Sequence, residues 1–334
     1  RDCLLSRGLG DVYKRQILAS STYPTFDPNL RDMTNYLDYN ISYAYEPGST
    51  MKIFSYMATM ENGEYNGSEK YTSGVYKTKD GTEIGDWLRS GWGKITYDQG
   101  FALSSNVGVI NLINKHLNGN LLMDYYKKLG FGSKTNIELA NEVSGKLAFK
   151  YETEVFNAGF GQGITTTPIQ NIKALTSISN NGTLLQPYII DKIVDQNTGK
   201  VIYKGEKKEL EKVASTETVS KIKDLMESVI NGNSRTSTGY YYYMDGYDII
   251  AKTGTAQVAR ESGKGYYNNQ VIRGFAGMFP KDNPEVIMYV AAKNPSSTKL
   301  MSEVVKEIVK NTSNYLGIYN GCLLYTSPSP RDKR

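Results

Sequence analysis

A serine and a lysine three residues apart, Ser49 and Lys52, directly follow the pair Pro47-Gly48. Because proline and glycine interrupt regular secondary structure, we predict that a helix begins after this pair and runs from Ser49 to about Glu61. Ser49 would then lie at the helix start, among unpaired N–H groups, with Lys52 on the same face one turn later. A serine hydroxyl becomes a nucleophile when a base takes its proton, and a buried lysine that loses its charge can be that base.

This spacing alone does not separate a nucleophile from an N-cap serine beside a surface lysine. The same Ser-x-x-Lys pattern recurs at Ser220 and Lys223, within a predicted amphipathic helix. It recurs again at Ser296 and Lys299, at the start of the last predicted helix. The assignment of Ser49 therefore depends on the rest of the chain.

Two further motifs follow in chain order. Ser104 and Asn106 form a Ser-x-Asn pattern at a predicted break between two helices, and the pattern has one other copy, at Ser179 and Asn181. The run 252–255, Lys-Thr-Gly-Thr, falls on a predicted strand. Its glycine would let another backbone or a ligand approach closely, and its lysine and threonines could hold a carboxylate. The alternative is a plain sheet edge with a solvated lysine.

The order of the predicted elements indicates the fold class. Helices come first, and three strand-like runs follow at about 247–258, 272–279 and 286–293. A closing helix is predicted at about 299–316. This order predicts an α+β fold with a central antiparallel sheet flanked by helices.

The two ends of the chain resemble translated sequencing adapter, because they can be back-translated from opposite strands of one DNA stretch. We therefore exclude residues 1–16 and 321–334 from the predicted fold and expect the domain at 17–320. Both cysteines, Cys3 and Cys322, lie in these segments, so a disulfide scaffold or thiolate metal site is excluded for the rest. The segments hold seven basic and three acidic residues of a chain with formal net charge +5. The remainder is near neutral and gives no argument for nucleic-acid binding.

The remaining composition excludes several kinds of site. The one histidine, His116, lies near a predicted helix end, where a C-terminal cap role is expected, so a histidine-based triad is excluded unless this residue lies in the pocket. We expect no metal and no cofactor. No apolar run is long enough to span a bilayer. Tyrosine is unusually common, with 27 residues that include the run 240–243, which predicts a polar, tyrosine-rich surface or groove.

Taken in order, the three motifs resemble the transpeptidase domain of class B penicillin-binding proteins. Ser105 stands where one version of the Ser-x-Asn motif has aspartate. The family has an N-terminal membrane helix and a pedestal, which we expect to be missing from this fragment. The segments that carry the resemblance are Tyr45–Lys52, Phe101–Gly108, Gly161–Gly163, Lys252–Gln257 and Phe275–Pro280.

The resemblance implies a β-lactamase/transpeptidase-like fold with an all-helical subdomain. It also implies a serine D,D-transpeptidase that cross-links peptidoglycan stem peptides through an acyl-enzyme and is a target of β-lactams. The implied catalytic residues are Ser49 as nucleophile, Lys52 as base and Ser104 as proton relay. The implied substrate-binding residues are Asn106, Lys252, Thr253, Gly254 and Thr255, and the implied oxyanion hole consists of the backbone N–H groups of Ser49 and Thr255.

Two alternatives stay open. One is a β-lactamase or D,D-carboxypeptidase of the same fold, which needs a base for the deacylating water; the segment 137–142 offers the carboxylates Glu138 and Glu142. The other is a β-lactam sensor or scaffold that does not turn over. The resemblance implies peptidoglycan stem peptides or their lipid-linked precursor, β-lactams, a glycosyltransferase and other division or elongation proteins as partners. It places the catalytic domain on the extracytoplasmic side of the bacterial cell membrane.

Overall fold

The structure is a computed structural model that describes residues 5–11, 16–23, 29–30, 36–260 and 265–318. Two short 3-10 helices within these ranges cover Gly48–Met51 and Tyr240–Tyr242. The strands in the described residues are β1 Leu5–Asp11, β2 Ile17–Tyr23, β3 Lys70–Thr72, β4 Val75–Lys77, β5 Glu83–Gly85, β6 Lys94–Thr96, β7 Thr183–Leu185, β8 Lys192–Val194, β9 Val201–Lys204, β10 Glu209–Lys212, β11 Ile250–Ala259, β12 Tyr266–Phe279 and β13 Val286–Lys293. The α-helices are α1 Tyr39–Ser42, α2 Lys52–Glu61, α3 Tyr97–Ala102, α4 Asn106–His116, α5 Gly119–Lys128, α6 Glu152–Gly159, α7 Pro168–Ser179, α8 Thr216–Ile230 and α9 Thr298–Leu316.

A five-stranded antiparallel sheet forms the centre of the fold, with the strand order β11-β12-β13-β1-β2. Its first three strands are the predicted meander. The register places Lys252 opposite Ala276 and Thr255 opposite Arg273. Strand β13 is buried along nearly its whole length, which is the pattern of a strand covered on both faces. The predicted α+β class is confirmed.

Apolar side chains cover both faces of the sheet. On one face Ile250, Met278 and Tyr289 belong to a large core that includes residues of α2, α4, α7 and α8. On the other face Phe275 and Met288 pack with residues of α9. Helix α2 is buried from its first residue almost to its last. Because a close-packed interior resists displacement, α2 holds the residues directly before it in place.

The first strand departs from the sequence-based expectation. Residues 1–16 were expected to contribute nothing to the fold, yet β1 pairs with β13 over Leu5–Asp11 and with β2 on its other side. Backbone pairing needs little sequence specificity, so an extended segment of unrelated sequence can cover the exposed edge of β13. The adapter origin of this segment stays a prediction. The segment 321–334 lies outside the described residues.

Most predicted elements agree with the structure within a few residues. Helix α3 begins after Thr96, whose side chain forms a capping box with Gln99. The ring of His116 contacts a carboxylate oxygen of Glu69 at 2.8 Å instead of capping its helix. Within the described ranges, no helix is both long and apolar enough to cross a membrane.

Candidate active site

Ser49 lies in a tight helical turn and not at an N-cap. The 3-10 helix Gly48–Met51 precedes α2, and Pro47 occupies its N-cap position without a side-chain hydrogen bond. Ser49 is half-buried and lines a pocket of about 610 Å³. The predicted helix is therefore correct in extent, but its first turn is tighter than an α-helix. The simple alternative of a capping serine does not fit this geometry.

Three glycines allow the turn that carries Ser49 to lie close to its neighbours. A Cβ on Gly254 would lie 3.0 Å from the carbonyl oxygen of Pro47, so β11 packs directly on the turn. A Cβ on Gly48 would lie 2.9 Å from the carbonyl oxygen of Thr255. Gly48 N–H donates to the carbonyl oxygen of Gly161 at 3.0 Å. The predicted close approach of a second backbone at Gly254 is thus present, and it sets Ser49 beside Thr255.

Ser104 is the meeting point of two buried lysines. Lys52 Nζ donates to Ser104 Oγ at 3.2 Å and to the Ser104 carbonyl oxygen. Lys252 Nζ donates to the same Oγ at 2.9 Å. Both lysines are fully buried. Ser104 itself has a φ of +58°, a left-handed conformation that costs a non-glycine residue free energy and persists only where the surroundings enforce it.

The amide of Asn106 completes the contacts of Lys52. Lys52 Nζ donates to Asn106 Oδ1 at 2.8 Å, and Asn106 Nδ2 donates to the carbonyl oxygen of Gly85 at 3.0 Å. The acceptors of Lys52 Nζ among the described residues thus belong to Ser104 and Asn106, and Ser49 is not one of them. Catalytic hydrogen bonds are often longer without substrate and shorten in the complex, so this arrangement leaves Lys52 available as a base.

The Lys-Thr-Gly segment faces the same pocket. Lys252 also donates to the carbonyl oxygen of Thr253 at 3.0 Å, and its ammonium lies 5.7 Å from the ring centre of Phe101. Thr253 and Thr255 line the pocket. The hydroxyl of Thr253 shares a hydrogen bond of 3.0 Å with that of Thr238. The alternative of a solvated lysine at a plain sheet edge is therefore wrong.

Burial lowers the pKa of both lysines. It lowers the pKa of Lys52 to about 7, although the carboxylate of Asp86 opposes this shift. Burial and the neighbouring Lys52 charge together lower the pKa of Lys252 well below its usual value. Two ammonium groups around one hydroxyl repel each other, so the site favours a state in which one of them is neutral. An amine that is neutral near pH 7 is a suitable general base.

The pocket has a volume of about 610 Å³ and contains residues that sequence reasoning did not assign. Asp86, Trp87, Thr238 and Arg273 all line it, as does the tyrosine run 240–242. The predicted tyrosine-rich groove is thus partly the wall of this pocket. No sequence pattern predicts Asp86 or Thr238 as pocket residues. Asp86 contacts Ser105, and Thr238 contacts Thr253, across segments that are separated in the chain. Arg273 could have been found from its place opposite Thr255 in the register.

The carboxylates proposed for a hydrolytic water are occupied elsewhere. Glu142 is buried, and its two oxygens accept hydrogen bonds from Thr135 and Asn136. Glu138 accepts from Ile189 N–H and from the Tyr203 hydroxyl. Neither glutamate lines the pocket. These contacts give both carboxylates a structural role and do not favour the hydrolase alternative.

The other copies of the motifs lie away from this pocket. Ser220 is exposed on α8, and Lys223 Nζ donates to the carbonyl oxygen of Asp282. Ser296 is an exposed residue of the loop before α9. Among the described residues, the pocket lining includes none of these side chains. The structure therefore brings together Ser49, the 104–106 motif and the 252–255 motif, and separates them from the repeats.

A family model described as the penicillin binding protein transpeptidase domain matches residues 9–314. The chain is 34% identical over 317 residues to stage V sporulation protein D of Bacillus subtilis. This alignment covers 91% of the chain and 48% of that protein. The chain is 28% identical over 304 residues to the peptidoglycan D,D-transpeptidase FtsI of Escherichia coli, covering 87% of the chain and 47% of that protein. The chain thus spans about half the length of these relatives.

A solved structure has the same fold. The chain aligns with penicillin binding protein 2X from Streptococcus thermophilus with a TM-score of 0.84 and 28% sequence identity. The alignment covers 92% of this chain and 48% of that one. The structural similarity therefore extends over nearly the whole chain.

Proposed function

The chain belongs to the penicillin-binding protein transpeptidase family, and from this membership we propose that it is the catalytic domain of a serine D,D-transpeptidase. Its substrate would be a peptidoglycan stem peptide that ends in D-Ala-D-Ala. The observation that carries this proposal is the double contact of Lys52 and Lys252 with Ser104 Oγ, in the pocket that Ser49 lines. This arrangement suits acyl transfer, because a nucleophile, a neutral base and a proton relay lie in one place.

In the first half-reaction, Ser49 Oγ attacks the carbonyl carbon of the penultimate D-alanine while Lys52 takes the hydroxyl proton. The carbonyl oxygen becomes an oxyanion held by the backbone N–H groups of Ser49 and Thr255, each worth about 3 kcal/mol in such sites. The C–N bond then breaks, and the proton passes through Ser104 to the leaving D-alanine amine. The product is an ester between Ser49 and the donor peptide.

In the second half-reaction, the amine of another stem peptide attacks the ester carbonyl. A new amide bond forms, the ester C–O bond breaks, and the amine proton passes through Ser104 and Lys52 to Ser49 Oγ. Both halves use the same groups in reverse order, as microscopic reversibility requires. β-Lactams, which carry a reactive amide, would acylate Ser49 by the first half-reaction.

Substrate binding is assigned to the residues around the lysines. Lys252, Thr253 and Thr255 would hold the terminal carboxylate, and the remaining amide proton of Asn106 would bind a substrate carbonyl. A bound carboxylate would raise the pKa of Lys252 and keep it charged. Lys52 would then be the neutral member of the pair, as the base must be.

The location and partners follow from this activity. We place the domain on the extracytoplasmic side of the bacterial cell membrane, where peptidoglycan strands are joined. Its partners would be the stem peptide or its lipid-linked precursor, together with a glycosyltransferase and other division or elongation proteins. Retention of the domain by such a glycosyltransferase in a pull-down would test the last assignment.

The nucleophile is tested by labelling the purified domain with fluorescent penicillin and mapping the adduct by mass spectrometry. We expect the adduct on Ser49, loss of labelling in Ser49→Ala and near loss in Lys52→Ala. Ser220→Ala and Ser296→Ala are matched controls with the same Ser-x-x-Lys spacing and should label normally. An adduct on either control peptide, or labelling that persists in Ser49→Ala, would contradict the proposal.

The reaction type needs a second measurement. Incubation of the domain with a stem peptide and an acceptor amine should yield the cross-linked peptide together with free D-alanine. Hydrolysis of the donor without cross-linking would favour the carboxypeptidase or β-lactamase alternative. A stable acyl-enzyme with no product would favour the sensor.

A further inference from the structure

Asp86 is a buried carboxylate at the edge of the pocket, with all its contacts made to backbone or motif atoms. Its Oδ1 accepts hydrogen bonds from Ser105 Oγ at 2.8 Å and from Val107 N–H at 3.0 Å. Its Oδ2 accepts from Gly74 N–H at 2.8 Å. A buried carboxylate that accepts three hydrogen bonds, two of them from backbone N–H groups, is held rigidly in place.

The residues on either side of Asp86 also form hydrogen bonds to the segment around Ser104. The carbonyl oxygen of Gly85 accepts from Asn106 Nδ2 at 3.0 Å, and Trp87 Nε1 donates to the carbonyl oxygen of Leu103 at 2.9 Å. We call the segment 85–87 the clamp. It contacts residues 103, 105, 106 and 107, and these lie on both sides of Ser104 in the chain.

Ser104 needs such support. Its left-handed backbone is strained, and it lies between the end of α3 and the start of α4. Either helix could relax the strain by extending or unwinding by one residue, which would move Oγ away from the two lysines. The clamp opposes this movement, because Asp86 accepts from the backbone of the first turn of α4 and from Ser105, the N-cap of that helix.

We propose that Asp86 is a positioning residue that holds Ser104 and Asn106 in their reactive geometry and supplies the negative charge that balances the lysine pair. This inference rests on the proposed function, since it concerns the same reaction. Asp86 would not touch the reacting atoms. Its hydrogen bond to Ser105 would fix the backbone of the adjacent Ser104, and its hydrogen bond to the first turn of α4 would fix Asn106. Its negative charge would stabilise the charged form of Lys52.

The charged and titratable groups around this cluster come from four elements. Lys52 comes from α2, Lys252 from β11, Asp86 follows β5, and Tyr71 comes from β3. Asp86 raises the pKa of Lys52 against the effect of burial, and it adds to the effect of burial in raising that of Tyr71. Removal of the Asp86 charge should therefore make Lys52 neutral at a lower pH. A purely structural carboxylate would have no such effect.

The test compares Asp86→Asn and Asp86→Ala with Glu142→Gln as a matched control. Glu142 is also a buried carboxylate that accepts two backbone N–H bonds, but it lies outside the pocket. The rate constant for acylation by labelled penicillin is measured against pH, and the melting temperature is measured for each variant. Asp86→Ala should acylate at least about tenfold more slowly. In Asp86→Asn the midpoint of the pH profile should move about one unit lower.

Glu142→Gln should lower the melting temperature and leave the acylation rate and its pH midpoint unchanged. If Asp86→Asn melts lower than wild type but keeps the wild-type rate and midpoint, Asp86 is structural only and the inference is wrong. If wild type itself does not acylate, the proposed function fails instead. A crystal structure of Asp86→Asn then still decides whether Ser104 keeps its contacts with Lys52 and Lys252. Should Asp86→Ala fail to fold, the pH midpoint of Asp86→Asn is decisive.

Discussion

Lys52 and Lys252 come from distant segments of the chain and donate to the same oxygen, Ser104 Oγ, at 3.2 and 2.9 Å. Both side chains are fully buried, so bulk solvent does not stabilise a charge on either amine. The pair therefore binds its second proton less readily than two separate lysines would. This relationship makes the site sensitive to pH near neutrality.

The first prediction concerns that sensitivity. Lys52 can accept the Ser49 proton only when it is neutral, and its pKa is lowered to about 7. The acylation rate should therefore rise with pH up to about 7 and level off above it. Stopped-flow labelling with a fluorescent penicillin from about pH 5 to about pH 9 measures this. A rate that is independent of pH across neutrality would exclude Lys52 as the base.

A second prediction separates the hydroxyl of Ser104 from its backbone strain. Ser104→Ala and Ser104→Gly both lose the oxygen that joins the lysines, so both should acylate slowly. Only glycine adopts the left-handed conformation without strain, so Ser104→Gly should be more stable than Ser104→Ala by about 1 kcal/mol. Denaturant unfolding gives the difference. Equal stabilities would mean that the backbone relaxes in the alanine variant.

The third prediction concerns β1. Deletion of residues 1–11 removes backbone pairing with β13 and with β2 over a seven-residue strand. We expect the melting temperature to fall by about 5 °C or more, because several ladder hydrogen bonds are lost at about 1 kcal/mol each. An unchanged melting temperature would support the sequence-based expectation that this segment contributes nothing.

A matched replacement tests the reason for this effect. If β1 acts through its backbone alone, substituting residues 5–11 by an unrelated strand-forming sequence should restore the melting temperature. Failure of every such replacement would indicate that the side chains of the segment matter, and that backbone pairing is not a sufficient account.

The sequence predicts those parts of the fold and site that local patterns determine. The Pro-Gly pair before Ser49 predicts the helix that follows it, and the amphipathic helix predicted around Ser220 is α8. Contacts between distant segments leave no such local pattern. Asp86 meets Ser105 across 19 residues, and His116 meets Glu69 across 47. The tight 3-10 turn at Ser49 likewise depends on β11 and Gly161 packing against it, which no spacing within the motif encodes.

The last prediction uses two glycines of one turn to test how Ser49 is held. Gly161 and Gly163 both have positive φ, +82° and +72°. A Cβ on Gly161 would lie 2.2 Å from the carbonyl oxygen of Gly48, next to Ser49, whereas a Cβ on Gly163 would meet no atom within 4 Å. Alanine at either position bears the conformational cost of about 1 kcal/mol. Only Gly161→Ala must also displace the backbone next to Ser49, the proposed nucleophile.

We therefore expect Gly163→Ala to melt slightly lower and to acylate at close to the wild-type rate. Gly161→Ala should lose about a hundredfold or more in acylation rate, because a shift of about 1 Å at a reacting atom has that effect. Penicillin labelling and thermal unfolding of the two variants side by side measure both effects. If the two alanines slow acylation equally, the turn acts only through its conformation, and its contact with Gly48 does not position Ser49.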